Sequence, residues 1–177
     1  MKAILLSMIV AIIAFAINFE GLNPNREADF KIIEDNLEQL KAKCEARDGK
    51  SCRFVSLFYG KKYTKSHFAE EFGKLRVEYA LKGCDLKDGP SCLTIATEYS
   101  DTRTYPKILQ ENFEKKIEFL NKACEYNEIN SCYMLGNHYS KEANSKKGAE
   151  KKATQLKSKR FYKKACDLGH SRACDEK

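Results

Sequence analysis

The sequence predicts an all-α protein, an array of stacked helical hairpins, on three observations. All eight cysteines fall into four C-x7-C pairs: CEARDGKSC (44–52), CDLKDGPSC (84–92), CEYNEINSC (124–132) and CDLGHSRAC (166–174). The first members of the pairs recur every 40 to 42 residues, a period at which helical repeats are built. Upstream of the pairs the apolar residues step by three and four positions, and sustained alternation, the mark of strands, occurs nowhere.

The chain begins MKAILLSMIVAIIAFA, one lysine followed by an apolar run from Ala3 to Ala16 that ends in the small–x–small pattern Ala14-Phe15-Ala16. A bilayer span needs ~20 residues, so residues 1–16 are predicted to be a secretory signal, with an uncleaved anchor as the alternative. Only in that alternative would the chain meet a membrane through this segment. Export would carry the cysteines into an oxidising compartment, periplasmic or extracellular, where pairs persist as disulfides. Residues 17–28 then form an N-terminal segment and 29–177 the repeat domain, three repeats and a terminal half repeat.

The first helix of each repeat follows from its apolar register. Phe30, Ile33, Leu37, Leu40 and Cys44 line one face, and Phe113, Ile117, Leu120 and Cys124 do the same. Phe68, Phe72, Leu75, Tyr79 and Cys84 follow with one extra step. A second, shorter helix is predicted near each second cysteine, carrying Phe54, Leu57 and Phe58, or Met134, Leu135 and Tyr139. The polar stretches YGKKYTKSH, YSDTRTYPK and YSKEANSKKG read as connecting loops, the last with the alternative of running into an extended final helix. The fourth unit stops three residues after Cys174, as a terminal cap would.

Geometry and repetition select the pairing. On one straight helix, residues eight apart would lie roughly 12 Å apart along the axis. A disulfide needs Cα atoms about 4.4–6.8 Å apart. The chain must therefore reverse inside each C-x7-C, with Asp48-Gly49, Asp88-Gly89 and Gly169 as the predicted turn formers. Repetition then gives Cys44–Cys52, Cys84–Cys92, Cys124–Cys132 and Cys166–Cys174. Zinc favours C-x2-4-C spacings with further ligands nearby, and the chain has only His67, His138 and His170, so no metal and no cofactor are expected.

The net charge of +7 is unevenly placed. Residues 141–164 hold ten Lys or Arg against two Glu, whereas 17–140 hold nineteen basic and twenty acidic residues. A near-neutral body argues against nucleic acid as a partner. Lys151, Lys152, Lys157 and Lys159 are the candidate binding residues, suited to an anionic cell-wall polymer, lipid head groups or an acidic protein; the alternative is a solvated helix face. Tyr59, Tyr99 and Tyr139 fall fifteen positions after the first cysteines. Their periodicity favours packing between repeats over a peptide groove.

The segments KACEYNEINSCYMLGNHY (122–139) and KACDLGHSRAC (164–174) resemble the Sel1-like repeat. With one C-x7-C pair per unit, residues 29–177 resemble the Helicobacter-type, cysteine-rich branch of that family. The resemblance implies a right-handed α/α solenoid related to tetratricopeptide arrays, with a disulfide joining the two helices of each hairpin. This chain departs from the usual pattern in its longer connections and in lacking Gly-x-Gly after the repeated tyrosine.

Relatives in that family are often named β-lactamases or penicillin-binding proteins, which implies a hydrolase. No serine here has a lysine three positions on, and K-T-G is absent, so the serine β-lactamase motifs are missing. His138 and His170 read as structural or solvated. The expected function is an exported scaffold that binds a protein, a peptide or a cell-wall component. The alternatives are a penicillin-recognising enzyme and a structural subunit of an envelope-spanning machine.

Overall fold

The computed structural model describes residues 19, 21–23, 26–100, 106 and 108–176; the predicted signal segment and most of the 99–107 connection lie outside them. Among the described residues there are nine helices and no strand. The first repeat holds α1 (Glu27–Asp35), α2 (Leu37–Glu45) and α3 (Gly49–Lys65). The second holds α4 (Glu70–Asp85) and α5 (Gly89–Glu98), the third α6 (Phe113–Glu125) and α7 (Ile129–Asn144). The terminal half repeat is α8 (Gly148–Asp167) and the single turn α9 (Ser171–Cys174). Each helix packs on the next in the chain, so the molecule is a helical-hairpin solenoid.

One turn design serves all four hairpins. The first helix ends just past its cysteine, and three residues beyond that cysteine the backbone turns left-handed, at Arg47 (φ 70°), Lys87 (65°), Asn127 (62°) and Gly169 (101°). The next N–H then reaches back across the helix end. Asp48 donates to the Lys43 carbonyl at 3.0 Å, Asp88 to Gly83 at 3.0 Å, Glu128 to Ala123 at 2.9 Å and His170 to Ala165 at 2.9 Å. These are Schellman closures. The same four residues cap the following helix with their side chains, accepting from the N–H of Lys50, Ser91, Ser131 and Ala173 respectively. The repeated serine adds to the cap, since the Ser51 and Ser91 hydroxyls donate to Asp48 and Asp88 at 2.6 Å.

This corrects the reading of Asp-Gly as the turn. The aspartate is the cap, the glycine already belongs to the next helix, and the reversal falls on the residue before them. Gly49 and Gly89 answer instead to close approach between successive turns. A Cβ at Gly49 would stand 3.1 Å from Leu86 Cβ, and one at Gly89 3.0 Å from Glu128 Cβ. The reversal brings each cysteine pair to Cα separations of 4.7, 4.6, 4.7 and 4.8 Å, and all four bonds form as the spacing selects.

Three other expectations need correction. The second helices are not uniformly short: α3 has 17 residues and α7 has 16, against 10 in α5. The stretches 59–65 and 139–144, read as connection, are therefore helix. The face from Phe30 to Cys44 is carried by two helices, because the backbone at Asn36 (φ −114°, ψ 19°) leaves the helical region between α1 and α2.

The core runs along the hairpins in two clusters. One gathers Phe30, Ile33, Leu40, Phe54, Val55 and Phe58 under Phe19. The other runs from Val77 on α4 to Ala173 on α9 and includes the buried cysteines of the second and third repeats. All eight cysteines are bonded, a state that suits an oxidising environment. No described helix is long and apolar enough to cross a membrane.

Candidate functional site

The repeated tyrosines couple one repeat to the next. Tyr59 stacks on Tyr79 (ring centroids 5.9 Å) and Phe72 (6.4 Å), Tyr99 on Phe119 (5.9 Å) and Tyr139 on Phe161 (5.5 Å). Tyr79, Phe119 and Phe161 each stand five positions before a first cysteine, where the first repeat has Gln39. Sequence reading missed this second register, although the spacing was there to find it. Lysine ammonium groups lie near the stacked rings, Lys82 4.9 Å from the Tyr79 centroid, Lys122 4.7 Å from Phe119 and Lys157 4.0 Å from Tyr139.

Helix α8 carries the four candidate lysines and does not gather them. It buries Thr154, Ser158, Tyr162 and Ala165 against the third repeat, where the Ser158 hydroxyl donates to the Gly136 carbonyl and Tyr162 to Asn137 Oδ1, both at 2.8 Å. At about 100° per residue, Lys152 and Lys159 share one flank two turns apart. Lys157 leaves on the other flank, over Tyr139, and Lys151 is half-buried on the packed side. Around Lys152 and Lys159 stand Arg160, Lys163 and Leu156, the last 60% exposed. Lys163 is paired with Asp167 at 2.7 Å. The result is an exposed cationic face with one apolar residue in it.

A groove of about 300 Å³ lies between α6 and α7, lined by Phe113, Lys116, Ile117, Met134, His138 and Lys141 among others. The His138 ring meets Phe113 edge-on at 5.4 Å and lies 4.7 Å from Tyr139. Burial holds its pKa below the ordinary histidine value; the Lys157 and Lys116 charges push the same way, and Glu142, 3.7 Å from Nε2, opposes them. His170 stacks on Tyr133 at 4.1 Å while its Nδ1 caps α9. His67 lies in the turn after α3 with φ 54°. A second cavity, about 530 Å³, opens beside the first hairpin between Phe19, Leu22, Lys43, Arg53, Phe54 and Leu57. Among the described residues no three His, Cys, Asp or Glu converge as metal ligands would.

Neither known protein families nor curated proteins provide a match to this chain. The geometry therefore stands alone: a stapled stack whose repeated aromatics are spent on the stack, with a cationic helix face and side grooves left exposed.

Proposed function

We propose that the protein is an exported Sel1-like repeat scaffold, periplasmic or secreted, that binds an anionic protein, peptide or cell-wall component. The observation that supports it is the outer face of α8, where Lys152, Lys159 and Arg160 are exposed around Leu156. A stacked array leaves such side chains to vary without disturbing the repeats. Within the original set of four, Lys152 and Lys159 carry the binding role, while Lys157 and Lys151 serve the packing of α8.

Affinity capture from envelope extract, followed by binding measurements on the captured partner at low and high salt, tests this reading. Exposed charges are screened over about 8 Å at physiological ionic strength, so association should weaken as salt rises. Lys152→Gln with Lys159→Gln and Arg160→Gln should weaken it too, and Lys157→Gln should leave it unchanged. Affinity indifferent to salt and to the triple replacement would remove α8 as the site. Turnover of a chromogenic cephalosporin by the same preparation would favour the hydrolase instead.

A further inference from the structure

The groove of the third hairpin aligns with a groove that the chain itself fills in the first. A shift of 80 residues places Cys44 on Cys124 and Cys52 on Cys132, so Phe54, Phe58 and Lys61 correspond to Met134, His138 and Lys141. In the first hairpin these residues are roofed by the N-terminal elements. Phe30 of α1 stacks on Phe58 at 5.5 Å with the rings 8° from parallel, and Phe19 lies 6.0 Å from Phe54. The Lys61 ammonium serves both parts of the roof, 4.1 Å from the Phe30 centroid and 2.8 Å from the Glu27 carboxylate. Glu27 and Phe30 are three residues apart on one helical turn, so one lysine reads a carboxylate and a ring together.

The third hairpin has the floor of this arrangement. Its first helix begins at Phe113, the counterpart of Ile33, and among the described residues just before it Ile108 packs against Gly73 of α4. Phe113 is consequently 58% exposed, where Ile33 is 0% exposed. Lys141 keeps the place of Lys61, and Lys116 adds a second positive group on the opposite wall.

We propose that the groove between α6 and α7 docks one helical turn of an acidic partner peptide, presenting a carboxylate and, three residues on, an aromatic ring. The ring lies over His138 between Phe113 and Met134, and the carboxylate pairs with Lys141. The site is separate from the α8 face, and its test does not depend on that face binding anything.

The probe is a fluorescein-labelled peptide of residues 26–36, READFKIIEDN, titrated into the mature full-length protein and followed by anisotropy. A single ion pair and one stacked ring on an unstructured peptide should give a dissociation constant between about 1 μM and about 1 mM. Lys141→Glu should weaken binding about tenfold, and the peptide with its glutamate at position 27 changed to lysine should regain that loss on the Lys141→Glu protein. Met134→Asp should abolish binding while the helical circular dichroism is retained. Three results of the titration would overturn the proposal. They are no saturable binding, equal affinity for wild type and Lys141→Glu, and amide shift changes that place the peptide on α3 by displacement of α1. A concentration-dependent dimer of the protein without peptide would also overturn it, by making a second copy's α1 the occupant.

Discussion

Tyr139 lies nearly parallel to Phe161 of the following helix, ring centroids 5.5 Å apart at 11°, and the Lys157 ammonium stands 4.0 Å from the Tyr139 centroid. The contact joins the third repeat to the half repeat. Contacts in a solenoid are made with nearest neighbours, so losing this one should loosen α8 before it loosens anything else. Tyr139→Ala should cost about 3–5 kcal/mol, the range for removing a buried aromatic. Lys157→Gln should cost about 0.5–1 kcal/mol, as an exposed cation–π contact does. Urea unfolding gives both numbers, and hydrogen exchange should show protection falling first in α8. Equal loss of protection in α3 and α8 would contradict the nearest-neighbour account.

The left-handed turn residues make a different prediction. Arg47, Lys87 and Asn127 occupy a conformation that costs an L-residue with a side chain roughly 1–2 kcal/mol, and the fourth hairpin uses Gly169 there. Arg47→Gly and Lys87→Gly should therefore raise stability, by up to about 1 kcal/mol each once the added freedom of the unfolded chain is counted. Gly169→Ala should lower it by about as much. The urea midpoints of the three variants decide the matter.

These turns also mark where sequence reading stops. The period, the four staples and the packing role of Tyr59, Tyr99 and Tyr139 were legible because each rests on a residue type recurring at a fixed place. The turn former was legible only in the fourth hairpin, at Gly169; in the others it was not, because Arg47, Lys87 and Asn127 share a backbone conformation and no side-chain chemistry. Asp-Gly drew attention through composition while serving as cap and close contact. The break at Asn36 was hidden because the apolar three-and-four stepping continues across it. The dispersal of the four α8 lysines follows from helical period alone, yet which flank meets Tyr139 depends on how α8 is rotated against α7. That rotation is set by Tyr162 and Gly136, whose close contact leaves no room for a Cβ at position 136.

The staples differ in exposure. Cys84, Cys92, Cys124 and Cys132 are buried, whereas Cys166 and Cys174 are half-exposed at the end of the array. Limited reduction followed by alkylation and mass spectrometry should label Cys166 and Cys174 first. Replacing Cys84 and Cys92 together by Ala should cost about 2.5 kcal/mol on the chain-entropy account of a nine-residue ring, and the helical spectrum should persist. An unchanged unfolding midpoint would mean that the bond adds nothing the hairpin turn lacks.

His138 predicts a pH effect of definite sign. Burial lowers its pKa in the folded protein below the ordinary 6.5, so between the two values the unfolded chain binds more protons than the native one. The stability contribution of neutral His138 is thus present above 6.5 and is lost as pH falls from there through the folded value. Glu142, its neighbour, has its pKa lowered chiefly by the hydrogen bond from Lys146, so its contribution is present above the ordinary 4.5 and is lost only as pH falls from there through the folded value. The difference between wild type and His138→Gln in unfolding free energy should therefore change between pH 7 and pH 5.5. A flat difference would show that the ring is no harder to protonate in the fold than out of it.

The second hairpin holds its own test of a buried charge. Arg76 on α4 pairs with Glu98 at the end of α5, and the Glu98 side chain is 1% exposed. Removing one member of a buried ion pair strands the other, at a cost of about 3–5 kcal/mol, whereas replacing both with apolar groups of similar volume is often neutral. Arg76→Met should therefore destabilise strongly, leaving the Glu98 carboxylate without its guanidinium. Adding Glu98→Leu should recover most of that loss. A double variant no more stable than Arg76→Met would show that Glu98 holds the fold through its other contacts rather than through Arg76. The two single variants and the double, unfolded in urea at one pH, separate these cases because only the ion-pair account predicts strong coupling between the two positions.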